Sequence, residues 1–322
     1  MSGAKSSIDV TYLSKAEATG NMILRPDCIA TRIEVDSQGK AKSVIYFDKN
    51  GVEHEQEAEV IVVSAGAIQS SRLLLNSTSK LFPDGLANSS GLVGKYFMQH
   101  LSLLSDAVFP DRIDSYRGFK GGATSQDFAE SSPTNSFARG WCTELSSGIS
   151  TPVRWARNSS MWGAQLKHHM RKTFGHSAGI VNVGEQLPDE RNYIEPDPEV
   201  RDDYGIPVPR IHIAPRKNDR LMLKAMGKNL REIYDAAGAA EVNNIEYKPG
   251  RSSHNFGGCR MGNDSNRAVL NSFCQSHDIS NLFVVDSSCF VTSGTANPSL
   301  TIHAIAVRAS EYIVAQGKKR NL

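Results

Sequence analysis

Residues 252–262 read SSHNFGGCRMG, which puts a histidine three positions before a Gly-Gly pair. Imidazole titrates near neutral pH, so His254 is a candidate proton acceptor; a histidine in a glycine-rich loop equally well packs or caps a neighbour. A second polar group lies in VVDSSCFVTSGTANPSLT, where Asp286 and Ser287 follow an apolar strand and Asn297, Pro298 and Thr301 lead into a helical pattern. A third is EVIVVSAGAIQSSRLLLNS, a buried-type strand, a turn at Gly66 and a helix. A helix start presents free N–H groups and a positive dipole end, which suits a phosphate, although a glycine at such a turn also serves packing alone.

These groups need a scaffold. The chain has 322 residues, enough for two ordinary domains or one large one. At 39% hydrophobic and 22% charged residues it reads as a globular protein, and a net charge of +2 gives no reason to expect nucleic acid or an anionic membrane as partner. Five cysteines without a CxxC argue against a disulfide scaffold and against structural zinc. His168 and His169 have no third ligand nearby in sequence, so no metal is expected. There is no run of 18 apolar residues and no apolar signal core near the start, so the chain as written reads as soluble and untargeted.

From residue 21 to 76, alternating apolar residues broken at SQGK and DKNG predict a hairpin meander, and EVIVVS is apolar enough to be a strand buried on both faces. Residues 92 to 250 change character. They carry Ser/Gly/Asn-rich loops, all three tryptophans (Trp141, Trp155, Trp162) and the proline-punctuated NYIEPDPEVRDDYGIPVPRIHIAP, which fits edge strands. Residues 218–237 repeat Leu221, Met222, Ala225, Met226, Leu230, Ile233 and Ala237 at helical spacing, so an amphipathic helix is expected with its methionines in the core and Asn218 or Asp219 as cap. The C-terminal part returns to a short strand and a long helix. Pro298 should sit in the first turn of that helix, with Thr295 or Asn297 near its N-cap.

Together the segments resemble the glucose-methanol-choline (GMC) oxidoreductases, flavoenzymes that oxidise alcohols. VIVVSAGAIQSSRLLLNS is similar to a family signature at Gly66, Ala67, Ser70, Ser71, Leu73, Leu74 and Ser77, with Thr78 where the signature has Gly. GLVGKYFMQH, SSHNFGGCRMG and NLFVVDSSCFVTSGTANPSLTIHAIAVRASEYI resemble further blocks in the right order. HNFGGCRMG and DDYGIPVPRI look most like the branch of gluconate, sugar and polyol dehydrogenase large subunits.

The resemblance implies an α/β plus α+β fold. The C-terminal part of a FAD-binding Rossmann-like domain would span residues 1–91 and 252–322, around an inserted, mostly antiparallel substrate domain at 92–251. No GxGxxG occurs in the chain, whereas the family opens on one, so Met1 is expected to match an internal position of a longer enzyme. The implied chemistry is oxidation of a CH–OH group of a sugar, polyol or other alcohol, with FAD as cofactor and a cytochrome, quinone or oxygen as electron acceptor. By matching motif, His254 takes the hydroxyl proton and Asn297 shares the same oxygen, even as Asn297 also suits a helix cap. Ala30, Gly66, Asp286, Ser287, Pro298 and Thr301 match cofactor-lining positions, while Asp286 also suits a strand-end cap. His100 matches a position near the domain boundary whose role is open. Exported relatives with a cytochrome partner imply a periplasmic setting for the full-length form. The alternative is that this chain is an inactive fragment or one half of a split flavoenzyme.

Overall fold

The structure is a computed structural model that describes residues 6–117, 122–146, 153, 156–157, 159–250 and 252–322. Met1, Trp155 and parts of the Ser/Gly-rich loops lie outside the described residues. The fold mixes helices with mainly antiparallel sheets.

After helix α1 (Tyr12–Ala18), strands β1 (Ile29–Val35), β2 (Ala41–Phe47) and β3 (Glu53–Glu57) form an antiparallel meander in that order. Its turns are where the sequence puts them. Asp36 accepts from the Gln38 and Lys40 N–H groups, and Asp48 accepts from those of Asn50 and Val52. Gly39 and Gly51 supply the left-handed residue in each. Strand β4 (Ile61–Val63) then leads into helix α2 (Gly66–Asn76).

The middle of the chain contributes β5 (Met98–Gln99), β6 (Leu101–Val108), β7 (Thr124–Ser125), β8 (Trp141–Ser146), helix α3 (Gly163–Thr173) and β9 (Ser177–Gly184). There follow β10 (Tyr193–Arg201), β11 (Pro207–His212), helix α4 (Lys217–Ala236) and β12 (Glu241–Tyr247). Strands β12, β6, β9, β8 and β7 make one antiparallel sheet in that order, and β10 and β11 form a separate hairpin that accommodates their prolines without a central-strand position. Helix α4 covers one face of the five-stranded sheet. Its Met222, Met226, Leu230 and Tyr234 are buried against Leu101, Leu103, Trp141 and Ile180, so the methionines are core, each contributing about 1.5–3 kcal/mol by burial. Asp219 does serve the helix start, but from inside it: the N-cap is Arg216, whose N–H donates to the Asp219 carboxylate at 2.8 Å. Of the tryptophans, Trp141 is buried and stacked on Phe128, whereas Trp162 is 83% exposed.

The last elements are β13 (Asn255–Phe256), β14 (Leu282–Val284) and helix α5 (Ser299–Lys318). Strand β14 runs parallel to β4 although some 220 residues separate them, and buried Asn281 fastens the pair to the meander by bonding to Ala41 and to the carbonyl of Glu59. This core is filled by Leu74, Leu282, Phe283 and Val284. The expectation that β4 is buried on both faces holds for one face only. Ile61 and Val63 point inward, but Val62 is 47% exposed because the described residues leave that side of the two-stranded pair uncovered. Among the described residues no helix is long and apolar enough to cross a membrane.

Candidate active site

The histidine segment is threaded between two others. On one side the Gly257, Cys259 and Met261 N–H groups donate to the carbonyls of Ser287, Ser288 and Cys289; on the other, the Gly258 N–H donates to Lys95 O and the Gly258 carbonyl accepts from the Gly94 N–H. The passage is narrow. A β-carbon on Gly257 would lie 2.1 Å from Tyr96 O, and one on Gly258 would lie 2.3 Å from Ser71 Oγ. Both glycines also have positive φ, so the Gly-Gly pair is required by space and by conformation.

The two-residue pairing of β13 with β5 sets Asn255 opposite Gln99 and Phe256 opposite Met98. The same register carried one step further brings His254 opposite His100. Their Nδ1 atoms are 2.9 Å apart, with the rings edge to face at 5.0 Å, and His100 Nε2 lies 3.0 Å from the carbonyl of Gly294. Phe256 packs against His100, and Gln99 binds Asn255 through its side-chain amide. His100 is 2% exposed; burial first, then the neighbouring His254, lowers its pKa to about 4, against a lesser upward pull from the carbonyls of Ser293 and Gly294. His254 is also lowered by burial, with the carboxylate of Glu144 pulling it back up. Both rings are therefore neutral at neutral pH.

Glu144 belongs to the sheet. Alternation along β8 and β9 puts Trp141, Thr143, Ile180 and Asn182 on the face covered by α4, so Cys142, Glu144, Val181 and Val183 face the other way, toward the histidines.

At the other end of the segment, Asp286 joins the two strand ends. Its Oδ2 accepts from the Gly66 N–H at 3.0 Å and from Ser70 Oγ at 2.5 Å, and its Oδ1 accepts from the Ser288 N–H at 2.7 Å. The first N–H of α2 is thus engaged by a carboxylate of the chain itself, which also complements the helix dipole.

Profiles described as GMC oxidoreductase match residues 1–102 and 188–306. The chain belongs to the GMC oxidoreductases. This GMC oxidoreductase is 37% identical over 283 residues to the 2-methyl-1,2-propanediol dehydrogenase of Mycolicibacterium austroafricanum, an alignment covering 85% of this chain and 51% of that protein. It is 26% identical to the fructose dehydrogenase large subunit of Gluconobacter japonicus, over 93% of this chain and 55% of that one. A solved structure of Aspergillus oryzae RIB40 formate oxidase concerning FAD modification shares the fold at a TM-score of 0.69 and 14% identity, covering 93% of this chain and 62% of the other. The chain spans about half the length of the curated relatives it matches.

Within this GMC oxidoreductase the residues singled out in the sequence fall into three places. Asp286, Ser287 and Gly66 meet where β4 and β14 end, and Ser287 O holds the histidine segment. Asn297, Pro298 and Thr301 lie at the start of α5, with Asn297 and Thr301 exposed. Pro298 is itself the N-cap and no side chain caps the helix, so the expected capping by Thr295 or Asn297 is not what the structure shows. No described hydrogen bond joins Asn297 to His254. Ala30 is exposed on β1 at a β-bulge, where Thr31 is the extra residue and bonds across to Ile45 O. Sequence reasoning left His100 without a role. Only the strand pairing shows its ring against His254. Among the described residues no group of three His, Cys, Asp or Glu is placed to hold a metal ion.

Proposed function

We propose that this chain forms the substrate-facing and C-terminal part of a FAD-dependent enzyme that oxidises a CH–OH group of a sugar, polyol or other alcohol, with His254 as general base. The observation that carries this reading is the neutral, half-buried His254 imidazole held by His100 beside the sheet face that carries Glu144. Kinship with a polyol dehydrogenase and a sugar dehydrogenase subunit supports the substrate class.

The residues fit a flavin. An ideal β-carbon on Gly66 or on Gly294 meets nothing within 4 Å, so there is open space at the start of α2 and beside the histidine pair, next to the exposed first turn of α5. Gly66, Asp286 and Ser287 would hold the cofactor at the strand ends, Pro298 and Thr301 from α5, and the backbone of Ala30 from the meander. Bound FAD would supply the hydride acceptor. His254 receives the hydroxyl proton on a ring nitrogen, which prevents positive charge from accumulating on the carbon as the hydride leaves. The Asn297 amide, at the exposed start of α5, donates to the same oxygen as it gains negative charge. Reoxidation requires a cytochrome, quinone or oxygen.

In the full-length form, reduction of an artificial acceptor by sugars or polyols should fall by more than about 10²-fold in His254→Ala. A several-fold loss at most would refute the base assignment. A second reading, that the chain is one half of a split flavoenzyme or an inactive fragment, is favoured by Val62, which stands exposed on a parallel strand pair of a kind ordinarily covered on both faces. Visible absorbance after incubation with FAD and desalting tests the isolated chain. A stoichiometric flavin band on the 322-residue chain means that its own contacts suffice to hold the cofactor and counts against the second reading, and its absence from a folded chain means that a dinucleotide-binding turn outside this chain is required.

A further inference from the structure

The histidine pair carries more information than proximity. The Gly294 carbonyl can only accept a hydrogen bond, so His100 Nε2, 3.0 Å away, must be the N–H that donates to it. A neutral imidazole has a single N–H, which leaves His100 Nδ1 as an acceptor. The only hydrogen available between the two Nδ1 atoms, 2.9 Å apart, therefore belongs to His254. Burial of His100 keeps it neutral and so maintains this order.

We propose that His100 is a positioning residue which holds His254 as its Nδ1–H tautomer, so that Nε2 of His254 carries the lone pair that receives the substrate proton. The assignment rests on the reading of His254 as the base. In the transfer, the substrate O–H bond breaks and an Nε2–H bond forms on His254. The resulting imidazolium retains its Nδ1–H bond to the lone pair of His100, which stabilises the charge without a second proton moving. The ring is also fixed in rotation, because His100 is anchored at both nitrogens and packed on Phe256. The charged or titratable groups that act on the pair are each other and Glu144, whose carboxylate favours the imidazolium.

The test begins with the wild-type chain, which avoids dependence on a variant that fails to fold. Long-range proton–nitrogen NMR on 15N-labelled protein distinguishes N–H from lone-pair ring nitrogens, and the His254 signals are identified by their loss in His254→Ala. The expected result is a protonated Nδ1 and a bare Nε2 on His254, with scalar coupling between the two Nδ1 atoms through the shared hydrogen. A His254 ring protonated on Nε2, or no such coupling, overturns the proposal. In the full-length enzyme, His100→Phe keeps a ring but offers no acceptor. It should lower kcat by about 10- to 100-fold with little change in KM, the scale on which metal-bound histidines respond to loss of the partner that orients them. His100→Gln, whose amide oxygen can accept from Nδ1–H, should recover most of it. Equal losses in the two variants would mean a packing role only, against the proposal. A mild His254→Ala effect would defeat the base reading whatever the tautomer; a severe His254→Ala effect with the wrong tautomer defeats this inference alone.

Discussion

Replacing Gly257 by alanine tests the claim that the histidine segment is held by a passage with no room for a side chain. Two costs combine. Gly257 has φ +75°, and an L-residue there loses about 1–2 kcal/mol. The new β-carbon would also lie 2.1 Å from Tyr96 O, a backbone atom that cannot rotate away. Tyr96 is flanked by Lys95 and Phe97, whose backbones are bonded to Gly258 and Asn192, so relief requires shifting a hydrogen-bonded segment. Overpacking of this kind costs about 1–3 kcal/mol. The sum is about 2–5 kcal/mol.

Gly51 provides the control. Its φ is +74°, and an ideal β-carbon there meets nothing within 4 Å, so Gly51→Ala carries the conformational cost alone, about 1–2 kcal/mol. Both substitutions restrict the unfolded chain equally, so that effect cancels in the difference. Urea unfolding of wild type and the two variants, followed by far-ultraviolet circular dichroism, should place Gly257→Ala about 1–3 kcal/mol below Gly51→Ala. Equal losses at the two positions would refute the steric argument and leave only a left-handed turn.

Two further outcomes follow from the same structure. Because His100 has its pKa lowered from 6.5 to about 4, the unfolded chain binds the proton first as pH falls; stability present above pH 6.5 is lost on the way to pH 4, by about 3 kcal/mol in total. His100→Gln should flatten the pH dependence of the urea midpoint in that window, distinct from the carboxylates of Asp189 and Asp197, which are held at about 2 and act below pH 4; an unchanged slope would contradict the buried, neutral ring. Cys28 is exposed while Cys142, Cys259, Cys274 and Cys289 are buried, and burial pushes the Cys259 thiol up to about 12. A disulfide reagent should therefore label one thiol in the native chain and five after denaturation, and a second fast-reacting thiol would show that the core around β14 opens readily.

Sequence alone determined the elements whose signals are local. The three- and four-residue spacing of α4 marked its buried methionines, since one helix face meets the sheet. Asp-led turns with glycine marked the meander, because side-chain acceptors and a left-handed residue close a hairpin over a few positions. The motif blocks marked His254 and the family. Tertiary structure decided what those residues touch. The pairing of His100 with His254 spans 154 positions and rests on two-residue strands, too short to show any periodicity in sequence. The Asp286 carboxylate meets Gly66 and Ser70 more than 200 positions away, so whether it caps or faces a ligand depends on parallel pairing of β4 with β14. The reason for the Gly-Gly pair was likewise out of reach: glycine is visible in the sequence, but the Tyr96 carbonyl and Ser71 hydroxyl that exclude anything larger arrive from distant segments when the chain folds.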